Sequence, residues 1–123
     1  MKYQTEITGW GKNALAFLEN PETNFIILFD EDTPPELAEL SVLHIKNPLL
    51  GEPSVGDTVV IADKVFTITA IGDEAVGTLR KLGHCTFVFK GFREPERPGC
   101  IMLEGEEDLK AEDIKKGVSI EIH

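Results

Sequence analysis

Gly56-Asp57-Thr58-Val59-Val60-Ile61 and Val65-Phe66-Thr67-Ile68-Thr69-Ala70-Ile71 are separated only by Ala62-Asp63-Lys64. Two β-branched runs around so short and polar a link predict a β-hairpin. A hairpin alone leaves two unpaired edges, which globular proteins cover or close. The flanking sequence supplies candidate strands on both sides. Upstream, Tyr3 to Thr8 alternates apolar and polar residues, and Asn24 to Phe29 is an apolar, aromatic run. Val42 to Lys46 follows and is ended by Asn47-Pro48. Downstream lie His84 to Lys90, Gly99 to Leu103 and Val118 to Ile122. The last of these echoes the first: Gly117-Val118-Ser119-Ile120-Glu121-Ile122 resembles Gly56-Asp57-Thr58-Val59-Val60-Ile61. This echo reads as a recurring way of entering a strand, not as a structural repeat of 20–50 residues.

Two segments carry helix signals. Thr33-Pro34-Pro35-Glu36 combines a capping-box pattern with an early proline, predicting a short helix from Pro34 to about Leu40. Asp73-Glu74 precedes Arg80-Lys81 and Gly83, so acids open and bases close a helix of about Asp73 to Leu82. The fold class is therefore mainly all-β: a small closed or nearly closed β-barrel of complex topology with two short helices. Its 123 residues are expected to form one domain, long enough to bury a core without disulfides or metals.

Composition narrows the partners. The chain carries 22 acidic and 12 basic residues, a net charge of −10. That charge repels phosphate backbones and anionic lipid, so no nucleic-acid partner and no membrane insertion are expected; a basic protein partner fits better. The opening MKYQTEITGW lacks the apolar core of a secretory signal, and the apolar runs are far too short to span a membrane. A cytoplasmic location follows, in which Cys85 and Cys100 are expected as reduced thiols, although one disulfide between them is sterically open to the sequence.

His44, within Ser41-Val42-Leu43-His44-Ile45-Lys46, is the first candidate for chemistry. Alternation along a strand puts Leu43 and Ile45 on one face and Val42, His44 and Lys46 on the other. With the larger aliphatics taken as the core side, His44 is predicted to face solvent. A neutral imidazole there has a lone pair that can attack phosphorus, and Lys46 can offset charge on a transferred phosphoryl group. A surface histidine without a task is the plain alternative. His84 stands directly after a helix-ending glycine, where local hydrogen bonding is the default role. His123 is terminal and expected to be mobile. The three histidines lack ligand spacing and no EF-hand loop occurs, so neither a metal nor a cofactor is expected. Asp30-Glu31-Asp32 and the acids between Glu104 and Asp113 read as solvated surface. Gly72 to Thr78 has the glycines of a phosphate-binding loop, but Thr78 replaces its lysine and two acids sit inside it.

Tyr3-Gln4-Thr5, Leu43-His44 and Leu79-Arg80-Lys81-Leu82-Gly83-His84, followed by Phe89, Gly91, Glu94, Glu96 and Pro98-Gly99, form an ordered pattern across almost the whole chain. In that pattern the sequence resembles the IIA component of the glucitol/sorbitol-specific phosphotransferase system. The resemblance implies a small closed β-barrel that accepts phosphate on a histidine from the phosphocarrier protein HPr. The phosphate then passes to a cysteine on the IIB part of the IIB/IIC sugar permease. The family's acceptor matches His44, with Gly51 keeping the local spacing. Members of the family can carry a second histidine two residues after the acceptor, where this chain has Lys46; either that second histidine is dispensable or Lys46 takes over its electrostatic part. His84 is the rival acceptor or a supporting group. Leu49 and Leu50 are expected as exposed apolar residues beside the site. Two other readings compete: a β-barrel interaction module without phosphate transfer, and a small-ligand barrel with an internal cavity among the seven phenylalanines and Trp10.

Overall fold

The computed structural model describes residues 1–123. Its strands are β1 (Tyr3–Trp10), β2 (Phe25–Asp30), β3 (Val42–His44), β4 (Thr58–Ile61), β5 (Lys64–Ile71), β6 (Cys85–Val88), β7 (Cys100–Glu104) and β8 (Ser119–Ile122). They close into a barrel in the order β1-β3-β2-β6-β7-β5-β4-β8, with β8 pairing back onto β1. Closure satisfies the edges that the hairpin alone would leave open. β4 and β5 are that hairpin, joined in register from Thr58↔Thr67 to Ile61↔Lys64. The turn holds Ala62 at φ 58°, a left-handed conformation that ordinarily favours glycine.

The echoed segments become neighbours. β4 and β8 pair antiparallel through Val59↔Ile122 and Ile61↔Ile120. Each is preceded by a glycine at positive φ, Gly56 at 95° and Gly117 at 88°. The shared pattern thus encodes the same strand entry twice, and both strands send their isoleucines into one core. Val59, Ile61, Ile120 and Ile122 are all 0% exposed. Side chains of this size each contribute about 1.5–3 kcal/mol when removed from water.

Two strand pairs are parallel, β2 with β3 and β6 with β7. Parallel neighbours need a crossover. The first crossover carries a helix, α2 (Pro35–Ala38), shorter than the sequence predicts. The expected Thr33 capping box does not form, because Pro34 occupies the capping position and offers no side-chain bond. A further short helix, α1 (Ala16–Glu19), and a 3-10 turn at Ala111–Asp113 add to the two expected helices. Neither has the length over which a helical period can be read.

The third helix, α3 (Ala75–Leu82), ends as predicted: Gly83 takes φ 61° and its N–H bonds the Leu79 carbonyl at 3.0 Å. It leads into β6 at the barrel end where β2 and β3 finish. β3 is shorter than expected, stopping at His44. Beyond it the chain runs beside β1 through single bonds, Ile45 N–H to Glu6 O at 3.0 Å and Leu50 N–H to Lys2 O at 2.8 Å. No helix is long and apolar enough to cross a membrane.

Candidate functional site

β2 and β3 lie in register Leu28↔Val42, Phe29↔Leu43 and Asp30↔His44. Side chains alternate across the barrel wall, so Leu28, Asp30, Val42 and His44 share one face. That face is the interior: Leu28, Val42 and His44 are 0% exposed and Asp30 is 5% exposed. The expectation that His44 faces solvent is therefore wrong. It assumed that the larger aliphatics Leu43 and Ile45 mark the core side, but both are only half-buried. The outer wall here has apolar cover of its own, since His84 stacks on outward-facing Phe29 with ring centroids 3.9 Å apart. Asp30 likewise is not solvated surface; it closes β2 directly beside the buried imidazole.

Polar groups meet both ring nitrogens of His44. Nδ1–H donates to the Ile45 carbonyl at 2.9 Å and Nε2–H donates to the Gly83 carbonyl at 2.8 Å. Thr5 donates its hydroxyl proton to the same Ile45 carbonyl at 2.7 Å, leaving its oxygen 3.3 Å from His44 Nδ1. Asp30 Oδ1 stands 3.8 Å from Nδ1, and the Tyr3 ring meets the imidazole edge-on at 6.3 Å. The Tyr3 hydroxyl is buried without a hydrogen-bond partner. Burial pushes the Asp30 carboxyl above its ordinary value, while His44 and Lys46 pull it back.

Gly83 makes this arrangement sterically feasible. A Cβ there would lie 2.6 Å from His44 Cε1 and would collide with the Asp30 carboxylate, at a φ that side chains already disfavour. The corner between α3 and β6 is thus a lid of backbone laid directly on the His44–Asp30 pair.

His84, next in the chain, is set quite differently. Its Nδ1–H donates to the Leu28 carbonyl at 3.0 Å and the residue is half-buried. The two histidines sit on opposite sides of the barrel wall, and Gly83, whose carbonyl bonds His44, immediately precedes His84. Lys46 is exposed and near enough to act on Asp30. Leu50 is 70% exposed, but Leu49 packs against the core instead of standing free. His123 is tied down, exchanging two backbone bonds with Thr58 and donating from Nε2 to Glu121 at 2.7 Å. Cys85 and Cys100 are both buried and form no disulfide. No group of three or more His, Cys, Asp or Glu side chains is arranged to hold a metal ion.

Reading the sequence missed Asp30, Thr5 and Tyr3 as partners of His44. Their signal was present only as alternation: Tyr3, Thr5 and Ile7 share the buried face of β1, and Ile7 pairs with His44.

Residues 2–121 match the family model described as the PTS system glucitol/sorbitol-specific IIA component. The glucitol/sorbitol-specific EIIA component of Escherichia coli K12 is 34% identical over 103 residues, covering 84% of this chain and 81% of that protein. The corresponding protein of Shigella flexneri matches to the same extent. The crystal structure of a PTS system IIA component from Enterococcus faecalis V583 superimposes with a TM-score of 0.77 at 25% identity, covering 97% of this chain and 98% of that one.

Proposed function

Because this chain belongs to the glucitol/sorbitol-specific IIA components of the phosphotransferase system, we propose that it is a phosphocarrier with His44 as its phosphate acceptor. It receives the phosphoryl group from phospho-HPr and delivers it to the IIB cysteine of the IIB/IIC permease. The observation that carries the assignment to His44 is the polar cluster around it. A largely apolar barrel interior holds His44, Asp30 and Thr5 together at exposures of 0%, 5% and 0%. Burying such groups costs stability even when they are bonded, so their retention fits a chemical task.

Of the two ring nitrogens, Nδ1 is held by Ile45, its own neighbour in the chain, and Nε2 by Gly83, on a corner of a different element. Movement of that corner uncovers Nε2 and leaves Nδ1 anchored. Nε2 is then the nitrogen that attacks phosphorus, and the α3–β6 corner has to lift for the donor to reach it. Lys46, exposed at the same end, supplies positive charge to the incoming phosphoryl group. His84 acts as a supporting group on the outer side of that corner. Transfer between two partners in turn takes place in the cytoplasm and needs only a modest, transient interface with each.

One observation favours His84 as acceptor instead: it is only half-buried, and its Nδ1–H is bonded to Leu28. Incubation with phosphoenolpyruvate, enzyme I and HPr, followed by intact mass, separates the two. Acid-labile addition of one phosphoryl group is expected in the wild type and His84→Ala, and none in His44→Ala. Loss in His84→Ala alone would move the acceptor, and no labelling of the folded wild type would remove the carrier function.

A further inference from the structure

We propose that Asp30 is a positioning residue for His44: its carboxylate, 3.8 Å from Nδ1, holds a proton on that nitrogen and makes the phosphorylated ring a ready leaving group. The proposal rests on His44 being the acceptor and adds what sets the reactivity of the phosphoryl bond.

Both ring nitrogens face backbone carbonyl oxygens, at 2.9 and 2.8 Å. A carbonyl oxygen only accepts, so each nitrogen has to donate, and a ring donating from both nitrogens is an imidazolium. Thr5 cannot reverse this, because its single proton is already given to Ile45 O at 2.7 Å. The groups facing the ring are Tyr3 and Thr5 from β1, Asp30 from β2 and the Gly83 carbonyl from the α3–β6 corner. Lys46 beyond β3 is positive and opposes a charged ring; Glu31 and Asp32 act on Asp30 with the opposite sign. Cys85, from β6, is a buried thiol whose ionisation is strongly disfavoured by burial. Asp30 is therefore the one carboxylate in direct contact with the ring. Burial pushes its carboxyl up, so its charge is kept at a cost that the contact with His44 partly offsets.

When the Gly83 carbonyl withdraws, Nε2 gives its proton to water, and its freed lone pair bonds to phosphorus. The bond between phosphorus and the donor breaks, and its electron pair leaves with the donor. Nδ1 keeps its proton beside Asp30, so the phosphorylated ring is cationic. On the onward step the cysteine sulfur bonds to phosphorus, the Nε2–P electron pair returns to the ring, and the ring departs neutral. Without the Nδ1 proton it would have to depart as an imidazolate, a far poorer leaving group.

The test is the pH profile of phosphoryl-His44 hydrolysis, measured by intact mass in the wild type and in Asp30→Asn. Asparagine keeps the shape and removes the charge. The wild type is expected to hydrolyse at a rate that stays flat to higher pH. In the variant the fall should begin at lower pH, with hydrolysis about tenfold slower near neutrality, the effect of one unit in the ring's proton affinity. Coincident profiles would overturn the role of Asp30 while leaving His44 as acceptor; phosphate found on another residue would overturn the acceptor assignment itself. A second measurement needs no variant. Nitrogen-15 shifts of the unphosphorylated wild-type ring should be those of two protonated nitrogens at neutral pH. One protonated and one bare nitrogen would contradict the proposal.

Discussion

His44 and His84 belong to one corner of the barrel and differ in nearly everything that governs an imidazole. His44 is enclosed, donates from both nitrogens and stands beside a carboxylate. His84 is only half-buried, donates to one carbonyl and lies flat on Phe29. Exposure alone would favour His84 as the reactive residue. Surroundings favour His44, because a buried polar cluster holds its ring in one orientation, and electrostatic effects are stronger away from water. The contrast separates two ways of building a phosphate acceptor: one left open and lightly held, the other prearranged and covered. The Gly83 lid is what the second way requires.

The lid is the place to break this comparison most severely. Gly83→Ala puts a methyl group against His44 and Asp30 at a disfavoured φ, and is expected to cost roughly 3–5 kcal/mol, among the largest single-residue effects. Urea unfolding would measure it; a loss below about 1 kcal/mol would mean that the corner does not rest on the pair.

The histidines themselves should then differ in what they contribute to stability. His44→Ala leaves Asp30 and two carbonyls without their partner in the interior and should cost about 3 kcal/mol. His84→Ala gives up one ring stack and one hydrogen bond near the surface and should cost about 1 kcal/mol. Equal losses in denaturant unfolding would erase the distinction between covered and open sites.

Most of the barrel was legible in the sequence, for an identifiable reason. The hairpin around Ala62-Asp63, the glycine-led strands β4 and β8 and the cap at Gly83 are local, so propensity and turn chemistry reach them. The face of β3 was not legible. Its inside and outside are decided by pairing with β1 and β2, not by the order of Leu43, His44 and Ile45, and the rule that the bulkier aliphatics face inward fails where the interior itself is polar. Asp30 was hidden for the same reason: in Asp30-Glu31-Asp32 it looks like the first of three surface acids, and only its register opposite His44 distinguishes it. The resemblance singled out His44, but it did not indicate that the ring would be covered.

The smallest expected effect sharpens the view of the cluster's edge. Tyr3 is fully buried with its hydroxyl unbonded, so Tyr3→Phe should leave stability unchanged or raise it by up to about 1 kcal/mol. A clear loss in thermal unfolding would mean that the hydroxyl has a partner in solution, bringing Tyr3 into the network that holds His44.

The most direct test of the account is a long-range proton–nitrogen NMR spectrum of the imidazole rings before and after phosphorylation by phospho-HPr. A phosphorus-coupled signal on His44 Nε2, with Nδ1 still protonated and the His84 ring nitrogens not coupled to phosphorus, is the predicted result. Phosphorus on a His84 nitrogen, with His44 still donating from both of its own, would contradict it.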